Sequence, residues 1–188
     1  SAGSPGGIAT GLVVWLKADA GTGSIGTQWD DQSGNGNDYT TAAGPTVSAG
    51  DSSSNYNPYI QILSGGFDAP AGAALGANYT VIAVAEKLSS DQTGRIFDGH
   101  SGDKNFGFTT NVTTRQVQVL TSVNNGDANT LQVDIHEGAT SANSPDSRVY
   151  ELIIYNTVLS SSEITIMEAY LEIKYGIVDG SNNYVTST

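Results

Sequence analysis

The sequence predicts an all-β fold, two sheets packed face to face with a single helix at the C-terminal end. Three observations predict it. Short stretches with strand character recur along most of the chain, separated by turns bearing Gly, Asn and Asp. The composition is turn-rich and sparsely charged, with 23 glycines among 188 residues and only 14% Asp, Glu, Lys and Arg. Only one segment, near the end, combines a helical apolar period with start and stop signals.

The first strand signal is GLVVWLKADAG. Leu12, Val14 and Leu16 alternate with Val13, Trp15 and Lys17, and both faces are largely apolar, which predicts a strand buried between two layers. The segment WDDQSGNGND that follows reads as a polar turn. Residues 40–57 read as loop with one short strand around 46–48. Strand signals then fall at 59–63, 79–87, 95–98, 106–110, 115–122, 130–135 and 148–155. The pair Asn125-Gly126 marks a hairpin turn. YTVIAVAEK and VYELIIY read as central strands, and RQVQVLTS as one with a wet face. Eight or more short strands at this spacing fit a sandwich rather than a doubly wound sheet.

The helix begins at Ser160, where Glu163 three positions on completes a capping box. Ile164, Met167 and Leu171 form its apolar stripe, widened by Ile166, Tyr170 and Ile173, and Gly176 supplies the stop. Nothing repeats within the chain, so the reading is one domain over residues 1–188, its core spanning about 6–178, with flexible tails.

Net charge is −12 and the pI is near 4.1. That balance argues against nucleic acid and anionic membrane surfaces as partners, both of which need a basic footprint. No apolar run reaches the roughly 18 residues of a spanning helix, and no signal peptide is visible. Cysteine is absent, which removes disulfides and thiolate metal sites. For an acidic extracellular β domain without disulfides, calcium is the natural staple.

Three segments carry a family resemblance: VWLKADAG at residues 14–21, WDDQSGNGN at 29–37, and IIYNTVLSSSE…YLEIKYGI between Ile153 and Ile177. With NPYIQI at 57–62 where the next strand belongs, they resemble the laminin-G-like, concanavalin-A-type jelly-roll domains of bacterial surface proteins. The resemblance spans nearly the whole chain and is weakest over residues 64–147. It implies a two-sheet jelly roll acting as a monomeric recognition module within a long extracellular or surface-anchored protein. Similar domains occur in large RTX-type, calcium-dependent adhesins, where they bind peptide ends or glycans on a host or neighbouring cell. A peptide terminus is preferred on that resemblance alone.

Candidate metal ligands lie in two acidic loops. Asp98 and Asp103 flank DGHSGDK, and Asp127 sits in NNGDAN with Asn125 as a helper. Calcium takes 6–8 hard oxygen donors, and two such loops meeting at one end of a sandwich would supply them, leaving open positions for a ligand. The spacing is not that of an EF-hand. Candidate ligand contacts are His100, Lys104 and Asn105 beside the first loop and Tyr39 beside a long loop. Asp30, Asp31 and Asp38 read chiefly as turn-forming carboxylates, with a structural calcium as the alternative. No zinc spacing, serine elbow or phosphate loop is present.

The expectation is a chain without catalytic activity. Residues 132–137, QVDIHE, are similar to the E-x-D-x-x-E string of laminarinase-type glucanases, but Gln132 stands at the nucleophile position. A neutral amide cannot form the glycosyl ester that a retaining mechanism requires.

Overall fold

In a computed structural model, residues 3–41, 44–88, 96–99, 114–122, 132–135 and 145–178 are described, Asp98 by its backbone alone. The elements are β1 (Leu12–Lys17), β2 (Gln28–Trp29), β3 (Tyr39–Thr40), β4 (Thr46–Ser48), β5 (Tyr59–Ile62), β6 (Tyr79–Lys87), β7 (Phe97–Gly99), β8 (Gln116–Ser122), β9 (Val133–Ile135), β10 (Ser147–Tyr155) and α1 (Ser161–Tyr175). The architecture is an all-β sandwich with one C-terminal helix, as the strand spacing predicts.

The larger sheet runs β4-β5-β10-β6-β8. Its centre is β10, paired along one edge with β6. Its other edge is shared in succession by β5, opposite Ser147–Val149, and β1, opposite Glu151–Tyr155. The second layer consists of the pairs β2–β3 and β7–β9, linked by bridges from Thr40 to Asp68 and from Phe67 to Ile135.

Both faces of the large sheet are covered, which is why its central strands are apolar on both sides. Against the second layer, Val14, Leu16, Val81, Leu152 and Ile154 pack with Trp29, Tyr39, Phe67, Phe97 and Ile135. On the opposite face, Trp15, Tyr59, Ile82, Ile153 and Tyr155 pack with Met167, Leu171 and Tyr175 of α1.

A register shift between Val149 and Glu151 inserts Tyr150 as an extra residue in β10. A bulge of this kind interrupts the strict alternation of faces. Both Tyr150 and Glu151 meet the helix side: the Tyr150 and Tyr175 rings lie 5.5 Å apart, and Glu151 bonds to α1. Glu151 is fully buried and accepts from Trp15 Nε1 at 2.6 Å, Tyr175 Oη at 2.7 Å, Lys174 Nζ at 2.8 Å and Tyr170 Oη at 3.4 Å. Lys174 also reaches Asp19 at 3.1 Å, tying the end of α1 to the loop after β1.

The capping box forms: Ser160 Oγ accepts from the Glu163 amide, and Glu163 accepts from the Ser160 amide at 2.8 Å. Gly176 closes the helix at φ +62°, a left-handed conformation that favours glycine. The buried stripe is Met167, Leu171 and Tyr175. The sequence reading placed Ile166 and Ile173 in that stripe, and the structure corrects it. They are 49% and 63% exposed, because the three residues that face the sheet rotate them toward solvent.

Candidate functional site

The segment 31–37 is built on the free edge of β1. A register irregularity between Leu12 and Val14 leaves Val13 outside the β1–β10 ladder. Its carbonyl accepts instead from Asn37 Nδ2 at 2.9 Å, and from Ser33 Oγ and Asn35 Nδ2 at 3.1 Å each. Asp31 Oδ1 accepts from the Trp15 and Ser33 amides, and Oδ2 from Ser33 Oγ and the Asn37 amide. Asp38 accepts from the Asp31 amide and from Gln28 Nε2. Every one of these carboxylate oxygens already accepts from an N–H or O–H, so the positive partner a cation would supply is provided by the turn itself. The SGNGN turn is thus an edge cover for β1, the structural role expected for Asp31.

The predicted acidic loops adjoin the β7–β9 ladder in sequence. Phe97 pairs with Ile135, Asp98 with Asp134, and Gly99 with Val133. Buried Phe97, Val133 and Ile135 anchor this pair in the core. The chain leaves β7 at Gly99 and enters β9 at Val133, so both ends lie at the same pole of the ladder. Along the sequence, Asp103 is four residues beyond Gly99 and Asp127 six before Val133.

Asp134 is fully buried and accepts from the Ala69 amide at 2.6 Å, while Gln132 Nε2 donates to the Ala69 carbonyl at 3.3 Å. Two members of the glucanase-like string therefore hold one backbone unit of the second layer. Glu137 lies outside the described residues.

Of the predicted ligand contacts, Tyr39 is placed differently from the sequence reading. Its ring is fully buried between the layers, and its hydroxyl donates to the Val133 carbonyl at 2.7 Å. It is a core anchor beneath the β7–β9 pole rather than a surface contact. Burial, with Asp134 and Asp31 nearby, pushes its phenol well above the usual tyrosine range. His100, Lys104, Asn105, Asp103, Asn125 and Asp127 lie outside the described residues, and Asp98 is described only as a strand position. Among the described residues no group of three or more His, Cys, Asp or Glu side chains could hold a metal ion. The proposed ligand set is chemically suited to calcium, since Asp and Asn offer hard oxygens.

Glu151 is a feature that sequence reasoning missed. The available signal was a lone carboxylate in the otherwise apolar run VYELIIY. A charge in a doubly covered strand requires a partner, and Lys174 is that partner.

No known family model matches the sequence, and no curated protein is similar to it. Solved structures do share the fold. A mutant of Trypanosoma rangeli sialidase displaying trans-sialidase activity aligns over 88% of this chain and 33% of its own, with 17% identity and a TM-score of 0.53. The Trypanosoma rangeli sialidase in complex with the inhibitor DANA aligns over 87% and 33%, with 14% identity and a TM-score of 0.57. The chain thus spans about a third of the length of the sialidases it resembles. At this identity the likeness is one of fold, an all-β sandwich compatible with a jelly roll. The expectation of a chain without catalytic activity is corrected here: the solved structures named above, which share its fold, are sialidases, so this fold does not mark the chain as non-catalytic.

Proposed function

We propose that this chain is a calcium-dependent recognition module of a larger bacterial surface adhesin, of the laminin-G-like kind that its end motifs resemble. It takes a peptide terminus on a host or neighbouring cell. The observation that supports this most is the register of β7 on β9, with Gly99 opposite Val133. It gives the two candidate calcium segments a common root. The ladder also sets Asp98 opposite Asp134. A divalent cation bound there would leave coordination positions for a ligand carboxylate. Asp98, Asp103, Asn125 and Asp127 are the proposed calcium ligands, and His100, Lys104 and Asn105 the proposed ligand contacts.

Carbohydrate is the second reading, favoured by the sialidases whose fold the chain shares. Vicinal hydroxyls occupy open calcium positions as a carboxylate does. One experiment tests both readings: peptide and glycan arrays probed with and without calcium, then repeated with Asp103→Ala and Asp127→Ala. Binding that needs calcium and falls in both variants supports the proposal, and the array that responds names the ligand. Saturable binding that is unaffected by chelator and by both changes overturns it.

A further inference from the structure

A cavity of about 400 Å³ opens beside the start of β1. Ligand sites typically occupy about 300–1,000 Å³, so this one suits a small ligand. Three asparagines line it: Asn35 and Asn37 from the edge-covering turn, and Asn156 just after β10. Leu12, Val13 and Ala74 supply apolar surface, and Gly72 completes the wall.

The state of these amides points to a ligand. Asn37 is only 7% exposed, its Nδ2 is committed to the Val13 carbonyl, and its amide to Asp31. Its Oδ1 accepts nothing from the protein and lies over Gly72, where a Cβ on that residue would sit 2.3 Å away. The residue is mostly buried, but this unpartnered carbonyl keeps accessible surface where Asn37 lines the cavity, a place able to hold a donor. At the rim, Asn156 is exposed, and its side chain makes no hydrogen bond to the protein, leaving two donors and an acceptor free.

We infer that this cavity is a binding site for a neutral sugar, separate from the calcium-dependent site and independent of it. No charged side chain lines the cavity, and the chain carries net −12, so nothing there fixes an anionic group. Free amide acceptors and donors at the base and rim match hydroxyls, each of which donates and accepts. The small apolar surface of Leu12, Val13 and Ala74 suits the C–H face of a pyranose. A peptide backbone would instead seek a strand edge, and at β1 that edge is already covered by the turn.

The test is a titration of the isotope-labelled chain, in chelator, with the methyl glycosides of glucose, galactose and mannose, read by amide chemical shifts. Saturable shifts confined to Val13, Asn35, Asn37, Gly72, Ala74 and Asn156 are expected for at least one glycoside. Asn156→Ala, whose side chain holds nothing in the fold, should weaken binding about fivefold, the worth of one hydrogen bond, with an unchanged melting temperature. Gly72→Ala should abolish it by displacing Asn37 Oδ1. The inference is overturned if none of the glycosides moves these amides, or if Asn156→Ala binds as tightly as the native chain. It is equally overturned if an N-acetylated tripeptide amide moves them and the sugars do not. Sugar binding that appears only with calcium and maps to Phe97–Gly99 and Val133–Ile135 also overturns it, while supporting the second reading of function.

Discussion

Glu151 Oε2 lies 2.8 Å from Lys174 Nζ, a fully buried carboxylate on the central strand paired with a lysine in the last turn of the helix. Three aromatic donors, Trp15, Tyr170 and Tyr175, converge on the same carboxylate. Truncating one member of such a network strands the others without water, which costs more than the pair itself contributes. Glu151→Ala should destabilise the fold by about 3–5 kcal/mol, read from the urea midpoint. Lys174→Met should cost less in the Glu151→Leu background than in the native chain, the coupling a double-mutant cycle measures.

Tyr39→Phe separates a core role from a ligand role. It removes the hydroxyl that serves the buried Val133 carbonyl and should cost about 1–3 kcal/mol. Ligand affinity at saturating calcium should stay within error of the native value. A loss of affinity without a loss of stability would return Tyr39 to the binding surface.

The helix start gives a smaller and cleaner effect. Ser160 Oγ serves the Glu163 amide, and Ser160→Ala should cost about 1 kcal/mol. Hydrogen bonds from Ser160 hold the Glu163 carboxyl below the usual glutamate range. That contribution is therefore present above the ordinary glutamate pKa and fades as pH falls through the lowered one. Protection from hydrogen exchange at the first turn of α1, taken relative to the intrinsic rate at each pH, should fall on acidification in the native chain and change less in Ser160→Ala.

Alkali should unfold the chain through its buried phenols. Burial first, and then Glu86 or Glu151 nearby, raises Tyr150, Tyr170 and Tyr175 above the ordinary value of 10.0; burial, then Glu163 and Glu151, does the same for Tyr155. The unfolded chain ionises near pH 10, whereas the folded one keeps these groups neutral. Their stabilisation is complete below that pH and is lost as pH rises toward the folded-state values. The melting temperature should hold up to about pH 10 and then fall steeply, together with a cooperative ultraviolet signal of tyrosinate. Gradual ionisation without unfolding would contradict the burial of these rings.

Local chemistry made much of the fold legible. Ser160, Glu163 and Gly176 act within one or two turns of chain, so their roles are written in spacing. The same holds for Asp31 and Ser33, whose bonds close a short turn. Tyr79–Lys87 reads as a strand because a doubly covered strand must be apolar throughout. Tyr39 was misread because it is buried among core residues distant in sequence, its hydroxyl bonded to Val133, 94 residues away, and no local pattern records those contacts. Ile166 and Ile173 misled for a related reason: the face that packs on the sheet carries Met167, Leu171 and Tyr175, and which of two apolar faces is buried is settled by the sheet rather than by the helix's own pattern. The Glu151 cluster depends on a bulge at Tyr150, which strict alternation does not anticipate. The proposed calcium loops rest on composition alone, since ligand sets drawn from separate loops have no fixed spacing.

Calorimetric titration of calcium into the native chain, Asp103→Ala and Asp127→Ala tests the central proposal most directly. The account predicts saturable binding to the native chain, a weakening of about tenfold or more in each variant, and a melting temperature that rises with calcium only where the ion binds. Absence of calcium binding to the native chain, or equal affinity in all three proteins, would contradict it.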